Sequence, residues 1–269
     1  MIKLQIVSDL HLESPSAYDI FDLPANAAHL AMLGDIGNTR DHGIFPFIEN
    51  QLGKFQTVFF LLGNHEPYYS SWEETKTKIH AFAREMSKKA ETNPSLGLGE
   101  FVFLDQTRYD LSEVVTVLGC PLYSNVPAEH QQSVSFGLND FYHIEDWTVE
   151  AHNTAHTSDV AWLNEQVTAI SRSELNRKIV IFTHHSPITG DARAVDPAHA
   201  GSAISSGFAT DLSGEECWKS ASVFLWAFGH AHFSCDFNTE DGKKRVISNQ
   251  RGYYFRPATH FDIDKVITL

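Results

Sequence analysis

Short apolar runs that end abruptly in polar residues recur near the start of the chain. They cover residues 3–8, 30–33 and 58–62, and each has the length of a buried strand. The third run leads into Leu-Leu-Gly-Asn-His-Glu at residues 61–66, where the glycine stops the strand and an amide and an imidazole follow it. Helical or irregular stretches separate the runs. This pattern predicts a parallel sheet with a functional site at the carboxyl edge of its strands.

The alternation of strands and helices continues along the rest of the chain. Apolar runs predict further strands over residues 101–104, 114–118, 178–182, 223–228, 233–238, 245–248 and 261–269, the last as an edge strand. Helical spacing of apolar residues predicts helices over residues 44–54, 73–91 and 157–170. Ser70 or Ser71 is the expected N-cap of the second helix, and Ser158 is the expected N-cap of the third.

Two stretches lack a clear period. Residues 124–146 are expected to form an irregular excursion over the surface, and residues 188–214, rich in Gly, Ser, Ala and Asp, are expected to form a mobile loop over the site. The chain has no internal repeat, low-complexity tract or linker. We therefore expect a single domain that spans residues 1–269.

Composition narrows the class of protein. With 42% hydrophobic and 20% charged residues, the 269-residue chain is typical of a folded protein. No apolar run reaches the roughly 18 to 20 residues of a membrane span, and the N-terminus lacks a signal-peptide pattern, so a cytoplasmic location is expected. The three cysteines form no CxxC pair. A formal net charge of −14 argues against binding to nucleic acid or to an anionic membrane, because such binding depends on Lys and Arg.

Polar residues of metal-ligand type follow five of the predicted strands. They are Asp9 and His11, Asp35, Asn64 and His65, His184 and His185, and His230 and His232. Each group alone has an ordinary explanation, such as a turn, a cap or a solvated pair. A parallel sheet would nevertheless gather all of them along one edge, which the ordinary explanations do not account for.

These five groups form an ordered set of motifs, D-x-H, G-D, G-N-H-E, H-H-x-P and G-H-x-H, over residues 9–232. The set resembles the calcineurin-like metallophosphoesterase superfamily. The resemblance implies an α/β fold, a four-layer αββα sandwich of two mixed sheets flanked by helices.

The resemblance also implies a dinuclear metal centre in which Asp35 bridges two divalent cations. One cation would be held by Asp9, His11, Asp35 and His232, and the other by Asp35, Asn64, His184 and His230. Nitrogen-rich ligand sets suit Mn, Fe, Zn or Co better than Mg or Ca. His184 directly follows the strand and Thr183, whereas His185 keeps the H-x-P spacing of some relatives, so both remain candidates for that ligand position.

By the same resemblance, His65 binds no metal and protonates the oxygen that leaves phosphorus, assisted by an acidic partner. Glu66 and Asp35 are the candidates for that partner. The implied reaction is hydrolysis of a small phosphodiester or phosphomonoester, with the diester slightly favoured, by attack of a metal-activated hydroxide on phosphorus. Tyr68, Tyr69 and the loop at 188–214 are candidate substrate contacts, although packing explains the tyrosines equally well.

Three other functions have to be considered. A non-catalytic, retromer-type scaffold would have lost catalytic groups, but this chain keeps His65 and every predicted ligand. A DNA-repair nuclease would need a basic track for the polynucleotide backbone, which the net charge disfavours. A protein that binds one metal ion would show a stoichiometry near one. The oligomeric state is left open by the sequence.

Overall fold

Two β-sheets form the centre of the molecule. The computed structural model describes residues 1–199 and 201–269. Within these ranges the strands are β1 (Lys3–Val7), β2 (His29–Leu33), β3 (Thr57–Leu61), β4 (Glu100–Phe103), β5 (Thr107–Asp110), β6 (Val115–Gly119), β7 (Lys178–Phe182), β8 (Val223–Phe228), β9 (Cys235–Asn238), β10 (Arg245–Ser248), β11 (Gly252–Tyr253), β12 (Arg256–Pro257) and β13 (Val266–Thr268). The helices are α1 (Ile44–Leu52), α2 (Trp72–Thr92), α3 (Gln131–Gly137), α4 (Asp140–His143), α5 (Val149–Ser173) and α6 (Glu216–Lys219).

Both large sheets are mixed. The first has the strand order β13-β1-β2-β3-β4, in which β1 to β4 are parallel and β13 is antiparallel to β1. The second has the order β5-β6-β7-β8-β10-β9, with parallel β6, β7, β8 and β10 between two antiparallel edge strands. The parallel strands bring their carboxyl ends to one edge of each sheet, as the sequence predicts for β1, β2 and β3.

The core has three layers, and strand periodicity assigns residues to them. On β3, Phe59 and Leu61 face a core between the two sheets, whereas Val58 and Phe60 face the core under α1 and α2. On β7, Val180 and Phe182 join the core between the sheets, and its other apolar residues face α5. Strands buried on both faces read as continuous apolar runs, which explains why the sequence reveals them so clearly. The predicted four-layer αββα sandwich is confirmed.

Strands near the carboxyl end complete both sheets. β13 supplies the outer strand of the first sheet, as predicted for residues 261–269. β9 and β10 pair as the hairpin whose turn contains Glu240, Asp241 and Gly242, and they form one edge of the second sheet. The single domain over residues 1–269 stays a prediction.

One predicted helix boundary is wrong. Ser71 caps α2 as expected, its Oγ accepting a hydrogen bond from Glu74 N at 3.1 Å. Ser158, however, lies inside α5, which begins at Val149 and is capped by Thr148. The first turns of α5 bury His152 and other polar side chains rather than apolar ones, so hydrophobic periodicity places the start of the helix too late.

The two stretches without a period contain more structure than predicted. The 124–146 segment includes α3 and α4, which are too short to show a hydrophobic period but pack Val134 and Leu138 into a small core of their own. The 188–214 segment contains short 3-10 turns at Pro197–His199 and Ser205–Gly207, and residue 200 lies outside the described residues. Strand β5 was not predicted.

In the part of the chain that the structure describes, no helix has the length and apolar character needed to cross a bilayer.

Buried His152 makes stability depend on pH. Its Nε2 lies 3.0 Å from the donating Ser124 N and 2.9 Å from Ser124 Oγ. Burial, reinforced by nearby His156, lowers the pKa of His152 to about 3. Above a pH of about 6.5, His152 is neutral in the folded protein and in the unfolded chain. Below that pH, the unfolded chain gains a proton that the folded protein does not bind.

We therefore expect this histidine to reduce the free energy of unfolding by about 1.4 kcal/mol per pH unit as the pH falls from 6 to 4. His152→Gln keeps an acceptor for Ser124 N but has no titrating group, so its stability should fall less steeply. Urea unfolding of both proteins in EDTA, at several pH values, measures the two slopes. Equal slopes would contradict this account of His152.

Candidate metal centre and active site

The predicted site residues converge where the two sheets meet. Asp9, Asp35 and Asn64 follow β1, β2 and β3 of the first sheet, whereas His184 and His230 follow β7 and β8 of the second. All five are almost fully buried, with exposed fractions of 6% or less. Isolated charged and polar groups are rarely buried in this way, so the cluster needs partners within the protein or a bound ion.

A left-handed backbone conformation recurs at these strand ends. The predicted ligands that adopt it are Asp9 (φ 53°), His11 (φ 47°), Asp35 (φ 54°), His230 (φ 73°) and His232 (φ 48°). Residues other than glycine rarely adopt this conformation, and it costs on the order of 1–3 kcal/mol at each position. Such strain is concentrated at functional sites, where the surrounding structure maintains it. Here it turns the chain sharply as it leaves each strand.

The first group of ligand atoms comes from Asp9, His11 and His232, which lie within 4.8 Å of one another. Nε2 of His11 is 2.9 Å from Nε2 of His232, and the latter atom is 3.4 Å from Asp9 Oδ1. The Nδ1 atom of His11 lies 3.3 Å from Glu13 Oε1, which favours a proton on Nδ1 and leaves a lone pair on Nε2. These donors face a common point, as a metal site requires.

The second group comes from Asp35, His184 and His230. His184 donates from Nδ1 to the Leu33 carbonyl at 2.8 Å, so its Nε2 is available as a ligand. That Nε2 is 3.6 Å from Asp35 Oδ1, and the other Asp35 oxygen is 3.8 Å from Nε2 of His11 in the first group. Asp35 therefore lies between the two groups, where a bridging carboxylate would have to be.

Asn64 is oriented by a residue that the sequence did not reveal. Its Nδ2 donates to Asp140 Oδ1 at 2.7 Å and to the Tyr68 hydroxyl at 3.2 Å, and Tyr68 in turn donates to Asp140 at 2.7 Å. The amide oxygen is therefore directed toward His184, with 3.2 Å between Asn64 Oδ1 and His184 Nε2. Asp140 belongs to α4, in the stretch expected to be irregular, and no local motif marks it.

The geometry favours His184 over His185 as the candidate ligand. His185 has its Nδ1 3.4 Å from the Pro121 carbonyl oxygen, and its ring packs 4.3 Å from that of His230. It is absent from every group of converging ligand atoms among the described residues, including a third group formed by His11, Glu13 and His65. In the 188–214 segment, the Phe208 ring stacks on His230 at 4.7 Å, so this segment does reach the site.

Glu13 is the acidic partner that the structure pairs with His65. Nδ1 of His65 is 2.8 Å from Glu13 Oε1, whereas its Nε2 is 3.9 Å from the nearest Asp35 oxygen. Glu66 is not the partner. Its buried carboxylate accepts hydrogen bonds from the backbone N–H groups of Asp35, Ile36 and Gly63, and so joins the ends of β2 and β3. The spacing of Asp9, His11 and Glu13, two residues apart, was the available sequence signal for Glu13.

The side chains around His65 complete the mouth of the site. Tyr68 is buried and stacks on the His65 ring at 4.4 Å, so packing accounts for it, whereas Tyr69 is 56% exposed. On the other side, the Tyr253 hydroxyl lies 3.2 Å from His65 Nε2.

Close packing at the centre requires a glycine in the G-N-H-E motif. A Cβ atom on Gly63 would lie 2.2 Å from Asp35 Oδ1 and 2.7 Å from a ring carbon of His184. Any larger residue would push apart two of the predicted metal ligands. The glycine is therefore needed for the close approach of the strands as well as for the turn.

The charges of the site are strongly coupled. Burial raises the pKa of Asp35, but His65 and His184 more than offset it and hold that pKa well below its ordinary value. Burial likewise raises the pKa of Glu13, yet contacts with His11 and His65 bring it down to about 2. The pKa of His65 is about 9, because attraction to Asp35 and Glu13 outweighs burial.

The residues present fit a pair of cations. Carboxylates, an amide oxygen and several imidazoles form the donor set that transition metals prefer. Among the buried side-chain atoms that have no hydrogen-bond partner in the described residues, three lie at this site: Nε2 of His230, Nε2 of His185 and Oε2 of Glu13. Buried polar atoms without a hydrogen-bond partner are rare in folded proteins. A bound cation would give His230 Nε2 a partner.

A family model described as calcineurin-like phosphoesterase matches residues 2–234. The chain belongs to the calcineurin-like phosphoesterase family. Family membership confirms the resemblance inferred from the five motifs and supports the predicted hydrolase.

The chain is also similar to individual proteins. A protein of Acanthamoeba polyphaga mimivirus, named Uncharacterized protein L509, is 26% identical over 286 residues, covering 98% of each chain. The structure is similar to that of the phosphopantetheinyl hydrolase PptH from Mycobacterium tuberculosis, with a TM-score of 0.62, 14% identity and coverage of 93% of this chain and 89% of that one. It is also similar to a dimetal phosphatase from Danio rerio, with a TM-score of 0.54, 13% identity and coverage of 93% and 87%. At these identities the two structures show the shared fold.

Asp35 is the residue on which metal binding should depend most. We expect Asp35→Ala to lose metal from both groups, because its carboxylate lies between them. Plasma emission spectroscopy of manganese-loaded, dialysed protein measures the metal content, with circular dichroism as the check on folding. Glu73→Ala, which removes an exposed carboxylate on α2, is the matched control and should bind metal like the wild type. Two equivalents of metal retained by Asp35→Ala would contradict the bridging role.

Proposed function

We propose that this protein is a dinuclear metal-dependent phosphoesterase that hydrolyses a small phosphodiester or phosphomonoester. The observation that carries the proposal is the position of Asp35 between two groups of converging ligand atoms, with His65 Nε2 beside them. One cation would be held by Asp9, His11, Asp35 and His232, and the other by Asp35, Asn64, His184 and His230. Bound there, divalent Mn, Fe, Zn or Co would activate water and neutralise charge on the phosphoryl oxygens.

The protein's own residues supply the proton and the orientation. The oxygen of a hydroxide ion forms the new bond to phosphorus, the bond from phosphorus to the alcohol oxygen breaks, and His65 Nε2 gives its proton to that departing oxygen. Glu13, 2.8 Å from Nδ1, holds the imidazole ring so that Nε2 faces the site. Burial of the surrounding ligands keeps the electrostatic environment fixed during the reaction.

The charge of the chain limits the substrate class. With a formal net charge of −14, the protein is poorly suited to a polynucleotide, which supports a small ester over the nuclease alternative. The three cysteines are free thiols, in keeping with a reducing compartment, so we also propose a cytoplasmic location.

Two chromogenic esters test the proposed function. Manganese-loaded protein should hydrolyse bis-(p-nitrophenyl) phosphate, p-nitrophenyl phosphate or both, with EDTA-treated protein as the control. The ratio of the two rates separates diesterase from monoesterase. Hydrolysis of neither ester by protein that retains two metal equivalents would contradict the proposal and support the non-catalytic scaffold.

His65→Ala should lower kcat by roughly 100-fold or more, as expected for the loss of general acid catalysis. Metal content should stay near that of the wild type, because the proposed role of His65 involves no metal. His80→Ala, which removes an exposed histidine on α2, is the matched control. An unchanged kcat for His65→Ala would refute the proton-donor role.

Glu13→Gln tests the positioning of His65. The amide keeps the size of the side chain but loses the negative charge that holds Nδ1, so we expect kcat to fall by about 10- to 100-fold with little change in KM. The double variant Glu13→Gln with His65→Ala should be hardly slower than His65→Ala alone, because we expect Glu13 to act mainly through His65, its closer partner at 2.8 Å, rather than through His11 at 3.3 Å. Fully multiplicative losses would show that Glu13 acts elsewhere.

A further inference from the structure

A short aromatic hairpin borders the candidate active site. Strands β11 and β12 pair Gly252 with Pro257 and Tyr253 with Arg256. This pairing leaves Tyr254 and Phe255 at the tip. We call residues 252–257 the aromatic hairpin.

The base of the aromatic hairpin is bound to the loop that carries two predicted metal ligands. Arg251 donates from its backbone N to the Ser8 carbonyl at 3.1 Å and from Nη1 to the Leu10 carbonyl at 2.7 Å. Gly252 has φ of 74°, and a Cβ atom there would lie 2.8 Å from Ala258 N, so the tight turn into the hairpin needs glycine. The hairpin is thus fixed relative to the residues that follow β1.

Tyr253 forms a wall of the site. Its ring stacks on His11 at 4.3 Å with an interplanar angle of 29°, and it meets His232 edge-on at 4.8 Å. Its hydroxyl is 3.2 Å from Nε2 of His65, the atom that would protonate the leaving oxygen. A leaving alcohol that accepts this proton would therefore lie close to Tyr253.

The tip presents aromatic surface to solvent at this point. Tyr254 is 57% exposed and Phe255 is 87% exposed, and their rings meet edge-to-face at 5.0 Å. Exposed apolar side chains are common singly, but these two rings are consecutive and directly follow Tyr253, whose hydroxyl contacts His65. Aromatic faces gain most from stacking against another flat π-system.

We propose that the aromatic hairpin is a subsite for a planar aromatic ring on the leaving alcohol of the substrate, with Tyr254 and Phe255 contacting that ring. This inference rests on the proposed function and deepens it by naming the leaving-group chemistry. Aryl or arylmethyl alcohols and nucleosides share this chemistry, so the experiment includes both.

The first comparison uses benzyl phosphate and cyclohexylmethyl phosphate, or the methyl diesters of the same alcohols if the wild type prefers diesters. The two leaving groups have similar size, and one is flat and aromatic. The second compares adenosine 5′-monophosphate with ribose 5-phosphate, which differ by the base. The measured quantity is the ratio of kcat/KM values for the two esters of each pair. The two esters differ in intrinsic reactivity, but this difference is the same for every variant, so it cancels when the ratio is compared between variants.

Wild type should prefer the aromatic member of at least one pair by about threefold to tenfold, the range expected for an aromatic contact. Tyr254→Ala combined with Phe255→Ala should lower that kcat/KM ratio by the same factor, about threefold to tenfold. Tyr254→Phe, which keeps the ring, should retain the wild-type ratio. Leu175→Ala is the control. It also removes an exposed apolar side chain, but Leu175 lies between α5 and β7, at the opposite end of β7 from His184, so the kcat/KM ratios should equal those of the wild type.

Which pair shows the preference identifies the source of the ring. Hydrolysis with equal ratios in the wild type and the double variant would overturn this inference alone. No hydrolysis of any ester by the metal-loaded wild type would instead overturn the proposed function and the inference with it.

Discussion

Five predicted metal ligands hold left-handed backbone conformations, and the rest of the fold keeps them in place. Each of these conformations costs free energy, so the site depends on neighbouring structure that is rigid enough to maintain them. That rigidity comes from parallel strands buried on both faces, which fix where each strand ends. The left-handed ligands follow β1, β2 and β8, at the carboxyl ends of these strands.

The site lies on the seam between the two sheets, and hydrogen bonds across that seam align its two halves. Asp9, from the first sheet, accepts from the backbone N–H of His230 in the second, at 3.0 and 3.1 Å. His184, from the second sheet, donates to the Leu33 carbonyl in the first at 2.8 Å. Because neither sheet contains a complete ligand set, the packing of one sheet on the other determines the distance between the two groups. The core between the sheets therefore serves the chemistry as well as the stability.

Elements with strong periodicity could be predicted from the sequence, as could the residues that follow them. Strands such as β7 and β8 were predicted to the residue, because apolar runs bounded by glycine or polar residues have few alternatives. Polar contacts made over long sequence distances could not be predicted. Asp140 reaches Asn64 from a helix too short to show a period, and Glu13 rather than Glu66 contacts His65. The left-handed conformations were also invisible, because none of those positions is a glycine.

The proposed function requires two cations, one on each side of Asp35. Crystals grown with manganese, measured at the manganese absorption edge, test it most directly through the anomalous difference map. The account predicts two peaks about 3.5 to 4 Å apart that share the Asp35 carboxylate, with no contact to His65. A single peak, or peaks that do not share Asp35, would contradict it.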